Sequence, residues 1–138
     1  MDDKTKNMNE KEKKAIQLGL MDGRLRELEQ QFALVEKQIN ELQLCSFALD
    51  EIKEAKPGSE MLSPISPGVF LKTELKNNNE IIINVGAKIF CKKNIEEAKE
   101  FIERKLDKTL EVYNKLASEI NLIAENIMTL EKEIREKE

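Results

Sequence analysis

Cys45 and Cys91 are the two thiols of a 138-residue chain that contains no histidine at all. A nucleophilic thiol needs a neighbouring base or cation to hold it as thiolate, and a zinc site needs Cys or His ligands at short, regular spacing. Neither condition is met, so both cysteines read as reduced, unpaired packing residues. The 27 acidic side chains are spread along charge-rich stretches instead of converging in pairs, and no glycine-rich loop offers a cradle for phosphate. An enzyme is therefore not expected, and neither is a metal or other cofactor. Net charge is only −4, and the single tyrosine and five phenylalanines are not interleaved with basic residues, which leaves no footprint for nucleic acid. The chemistry left is recognition by apolar surface.

The elements that would position such surface are two long helices. From Leu18 the apolar residues recur in alternating steps of three and four, through Met21, Leu25, Leu28, Phe32, Val35, Ile39 and Leu42, then Ser46 and Leu49. This is a heptad seam sustained over roughly four repeats. Pro57 and Gly58 end it, which predicts a first helix over residues 9–56. A second seam runs through Ile95, Ile102, Leu106, Thr109, Tyr113, Leu116, Ile120, Ile123, Ile127, Leu130 and Ile134, with Lys99 as its one charged member. Asn94 stands where an N-cap belongs, with Glu96 and Glu97 in the first turn, and predicts a second helix over residues 94–138. Each arm should be about 60 to 70 Å long. A single apolar stripe must be covered to be stable in water, and arms of matching length cover one another most simply as an antiparallel pair. The favoured register sets Leu18 against Leu130, Met21 against Ile127, Leu25 against Ile123, Phe32 against Leu116 and Val35 against Tyr113. Sliding by one heptad would place Lys56 against Lys99, so like charges disfavour that alternative.

Between the arms, residues 57–93 read as strand and turn. Val69, Leu71, Thr73 and Leu75 alternate with Phe70, Lys72 and Glu74, and Ile81, Ile83 and Val85 alternate with Ile82 and Asn84. Ile89 and Cys91 continue a final strand, "NNN" at 77–79 marks a turn, and "MLSPI" upstream is a short strand of its own. Two hairpins alone are marginal in water and expose edges. The insert is accordingly an oligomerisation device, with Val69, Phe70, Leu71, Leu75, Ile81, Ile83, Val85 and Ile89 as its candidate interface. The predicted fold is α+β: a long antiparallel coiled-coil hairpin of helices, one domain over residues 1–138, whose central pair of β-hairpins serves to join it to other subunits.

No apolar run approaches a membrane span, and the polar start "MDDKTKNMNEKEKK" does not resemble a signal peptide, so a cytoplasmic protein is expected. A bare coiled coil is compatible with a structural scaffold or a filament-capping subunit. What separates that reading from a binding role is the free end of the arms, where Ile16, Leu20 and Met128 fall outside the seam and pairing would not cover them. With Leu18, Met21, Ile127, Leu130 and Ile134 beside them, they form a candidate apolar binding set.

The order helix, two hairpins, helix, together with "SPGVFLKTEL", "INVGAKIF" and "IEEAKEFIERKL", resembles the alpha subunits of archaeal prefoldin over nearly the whole chain. Pro67, Gly68, Val69 and Phe70 opening the second strand carry the resemblance, as do Asn84, Val85 and Gly86 ending the third. Lys92 departs from it, since an acidic residue is common there in the family, and the local ion pairs of the last strand are in question. Two hairpins point to the alpha class, whereas the beta class carries one. The resemblance implies a hexamer of two alpha and four beta prefoldin subunits with a β-barrel platform. It further implies ATP-independent binding of unfolded client proteins at the coiled-coil tips, and their transfer to a group II chaperonin.

Overall fold

A computed structural model describes residues 9–136. The polar start and the last two residues of the expected second arm lie outside the described residues. The elements, in order, are α1 (Glu10–Glu54), β1 (Glu60–Ser66), β2 (Val69–Glu74), β3 (Ile81–Gly86), β4 (Ile89–Lys93) and α2 (Ile95–Glu136). The strands form two separate two-stranded antiparallel sheets, β1 with β2 and β3 with β4. Two long helices joined through two small hairpins is the predicted arrangement.

Three of the helix ends have a local cause. The Asn9 side chain accepts the backbone N–H of Glu12 at 2.8 Å and opens α1. Asn94 and Glu97 form a reciprocal capping box at α2: the Glu97 N–H donates to Asn94 Oδ1 at 2.8 Å, and the Asn94 N–H donates to Glu97 Oε1 at 3.3 Å. At the end of α1 the orphan carbonyls of Lys53 and Ala55 accept from the Asn78 side-chain amide, at 3.5 and 3.0 Å. A residue of the "NNN" turn thus fastens the link between the hairpins to the helix, a role beyond the turn itself.

The chain divides into two compact units, one of residues 1–38 with 109–138 and the other of residues 39–108. In the first, the two helix segments pair antiparallel. Leu28 is fully buried, Leu116, Ile127 and Leu130 nearly so, and Phe32 stacks on Tyr113 with ring centroids 4.5 Å apart. Lys14 meets Glu133 at 3.2 Å and Arg24 meets Glu119 at 3.8 Å. In this part of the seam Tyr113 lies against Phe32, and two flat rings in contact gain from stacking beyond their burial.

In the second unit, Leu49, Ile83, Ile95, Ala98 and Ile102 form a buried cluster, with Leu42, Cys45, Ile52, Ile81, Val85 and Phe101 packed on it. Burial in this setting raises the Cys45 thiol above its ordinary pKa, which suits a packing residue. The seam of α2 here passes through Ala98 and not Lys99. Lys99 stands beside the seam and forms an ion pair with Asp50 of α1, and Lys53 pairs with Glu96 at 3.2 Å. Lys99 therefore faces an acid, and the heptad-shifted alternative that would set it against Lys56 is not formed.

The two hairpins repeat one another in register. Leu62 pairs with Lys72 and Pro64 with Phe70, then the register slips by one residue before Ser66 pairs with Val69. Twenty positions on, Ile82 pairs with Lys92 and Asn84 with Phe90, and the same slip precedes the pairing of Gly86 with Ile89. Glu60, Phe70 and Lys72 recur as Glu80, Phe90 and Lys92. The bulge that reshapes each strand is thus copied along with the outer face. The turns are built differently: Pro67-Gly68 uses glycine at φ 80°, whereas Ala87 and Lys88 both take positive φ, 49° and 61°.

Candidate functional site: exposed apolar surfaces

Among the described residues no group of His, Cys, Asp or Glu could hold a metal ion, and no helix is long and apolar enough to cross a membrane. The surfaces that could act are apolar, one in each unit.

In the unit of residues 39–108 the surface lies on the hairpins. Phe70 and Phe90, at 58% and 63% exposure, stand on the outer faces with Leu62 and Ile82. Val69, Leu71 and Ile89 of the expected interface are exposed as well, and Leu75 is half-buried. The rest of that set lies toward the helices. Ile83 is buried in the chain's own core, with Ile81 and Val85 packed against the same cluster. The reason is that β3 has one face richer in apolar side chains, and the helices beside it offer an apolar cluster to cover that face. The opposite face, carrying Ile82 and, across the ladder, Phe90, is left to solvent. Period-two alternation had already separated Ile82 from Ile81 and Ile83; the sequence lacked only which face the helices would take. In the first hairpin the position equivalent to Ile83 is held by a hydroxyl, Ser63, whose Oγ lies 2.9 Å from Thr73 Oγ1. Lys92, the departure noted in the sequence, pairs with Glu80 of its own hairpin at 3.0 Å. An ion pair within the sheet thus occupies the place where an acid was expected.

In the unit that holds the helix segments 10–38 and 109–136, the apolar candidates fall into two groups. Ile16, Leu20 and Met128 are 51%, 71% and 68% exposed, as their off-seam positions predicted. Leu18, Met21 and Ile134 are half-buried, and Ile127 and Leu130 are buried in the seam. Sequence reasoning did not single out Leu34 and Leu122, both exposed on this unit, or Leu44, Phe47 and Val112. Three of these five lie on α1, whose apolar residues are distributed around the helix where those of α2 keep more to one side.

This geometry has known counterparts. The Prefoldin subunit family matches residues 21–138. The chain is 31% identical over 103 residues to the Prefoldin subunit alpha of Methanobrevibacter smithii, spanning 75% of this chain and 70% of that one. It is 26% identical over 109 residues to the Prefoldin subunit alpha of Thermofilum pendens, spanning 79% and 84%. A filamentous PFD from Methanocaldococcus jannaschii, solved by cryo-EM, shares the fold with a TM-score of 0.69 at 20% identity, covering 83% of this chain and 94% of that one. Prefoldin subunits are chaperone components that assemble with other prefoldin subunits. With two hairpins between two long helices and this set of relatives, the chain belongs to the prefoldin family, in its alpha class.

Proposed function

We propose that this chain is a subunit of an ATP-independent holdase, assembled from two alpha and four beta prefoldin subunits, that binds unfolded proteins at the ends of its arms and passes them to a group II chaperonin. The observation that carries the reading is the exposure of Ile16, Leu20 and Met128 at the end of the helix pair bearing the chain termini. Unfolded chains display scattered apolar segments, so their receptor needs adaptable apolar surface more than a shaped pocket. Leucine and methionine supply it with little geometric demand. Each contact contributes about 1 to 2 kcal/mol at most, and several arms engaging one chain multiply the effect through effective concentration. The hairpin faces around Phe70 and Phe90 are the surface through which the arms are joined. A structural assembly without clients is the second reading, and what favours it is that a solved protein of this fold is a filamentous PFD.

Deleting residues 1–21 and 127–138 tests the first reading. The truncated chain, assembled with its partner subunits, should keep its hexameric mass but fail to suppress aggregation of a denatured test protein. The milder variant Ile16→Ser/Leu20→Ser/Met128→Ser leaves the seam intact and should weaken protection in the same direction. Protection at wild-type level by both assemblies would return the weight to the structural reading.

A further inference from the structure

Gly19 and Gly23 stand one turn apart in α1, and a Cβ built on either would meet nothing within 4 Å. No close approach requires glycine at either position, yet each weakens the helix relative to alanine. The facing segment of α2 contains no glycine. The arm end is thus made of one weak strand of helix and one strong one. What the weak strand covers is specific: on α2, Ile127 and Leu130 are buried, with Glu119 and Glu133 on either side of them in sequence, and these two acids pair with Arg24 and Lys14 of α1. At the margin the cover is incomplete, because Leu18 and Ile134 line an open groove of about 270 Å³ with Glu131 and Arg135.

We infer that residues 10–25 of α1 are a displaceable cover and that the stripe beneath them on α2, Ile127 and Leu130 flanked by Glu119 and Glu133, takes an amphipathic helical segment with basic flanks from an unfolded protein. The inference rests on the holdase reading and names the class of client that this part of the arm selects. The chain's own cover defines the chemistry of the occupant: apolar residues at steps of three and four, as in Leu18, Met21 and Leu25, with a cation toward each end. A client segment of the same pattern but without glycine forms the better helix and replaces the cover, while α2 remains folded as the receptor. The cost of displacement is kept low by the two glycines. Replacing both by alanine shifts the closing equilibrium of the cover roughly ten- to thirtyfold.

The experiment uses the assembled wild-type complex and the Gly19→Ala/Gly23→Ala variant, with a fluorescent peptide copying residues 10–27 in which both glycines are alanine. Wild type should bind the peptide, and the stiffened variant should bind it about tenfold or more weakly while amide exchange over residues 10–25 slows by a comparable factor. A peptide carrying Lys14→Glu and Arg24→Glu should bind wild type roughly three- to tenfold more weakly, with the gap narrowing at high salt. Slower exchange with unchanged peptide binding overturns the inference, and so does unchanged exchange, since the glycines would then not set the opening. Wild type that protects a denatured protein but ignores the peptide also overturns it while leaving the holdase reading intact; wild type that does neither removes both.

Discussion

Among the described residues, Ala87 and Lys88 are the non-glycine residues with positive φ. Two consecutive positive φ values between paired Gly86 and Ile89 are the signature of a type I′ hairpin turn, where asparagine and glycine are the residues of choice. An L side chain in this region crowds its own carbonyl, and glycine has no such penalty. Ala87→Asn with Lys88→Gly should therefore stabilise the second hairpin by about 1 kcal/mol. Urea unfolding reads this as a higher midpoint at unchanged slope, and a lower midpoint would show that the Lys88 side chain has a structural task of its own. Sequence inspection ended the third strand at Gly86 and began the last one without marking Ala87 and Lys88 as a turn. "VGAKIF" lacks the Asn-Gly or Asp-Gly pair that announces such a turn, so only the backbone angles reveal it. The candidate site shows the same limit: Ile82 and Phe90 were visible as apolar residues, but the side on which the helices lie is a tertiary fact that alternation cannot supply.

At the level of elements, the seams were legible because heptad spacing is the direct imprint of helix geometry on sequence, and Leu28, Ile39, Leu116 and Ile127 all sit where the pattern puts them. Register was less legible, because successive layers of a heptad seam offer similar apolar partners, and spacing alone did not single out the Phe32–Tyr113 stack. Beside the hairpins the helices are further held by ion pairs with a definite pH signature. Lys53 beside it holds the Glu96 carboxyl below the usual carboxylate range, and Asp50 holds the Lys99 ammonium above the usual lysine value. A lowered carboxylate pKa contributes stability at pH above its unfolded value, and that contribution is lost as pH falls through the folded one. A raised lysine pKa contributes below its unfolded value and is lost only as pH rises through the folded one. Both contributions are therefore present near neutrality. Glu96→Gln should lower the thermal midpoint slightly at pH 7 and leave it unchanged well below the carboxylate range, with the neutral-pH difference shrinking at 1 M salt. A difference that persists in acid would assign the effect to packing and not to charge.

For the whole molecule, the division between inward and outward hairpin residues decides how mutations read out. Phe70→Asp with Phe90→Asp places charge on outer faces that the chain itself leaves open, so circular dichroism of the chain alone should remain helical. Assembly with partner subunits should fail, because a charge left unpaired in a buried interface costs several kcal/mol. Ile83→Asp acts earlier: it buries a charge among Leu49, Ile95 and Ile102 and should destabilise the chain by itself. Light scattering and thermal melts together separate the two cases. A Phe70/Phe90 variant that still assembles at wild-type mass would place the joint elsewhere.

The twenty-residue repeat also makes sheet content divisible into whole hairpins. Removing residues 61–80 would join Glu60 directly to Ile81 and leave the single hairpin "EIIINVGAKIFCKK", at the loss of the Asn78 amide that fastens the end of α1. The number of hairpins can thus change by a unit of twenty residues while both arms keep their sequences.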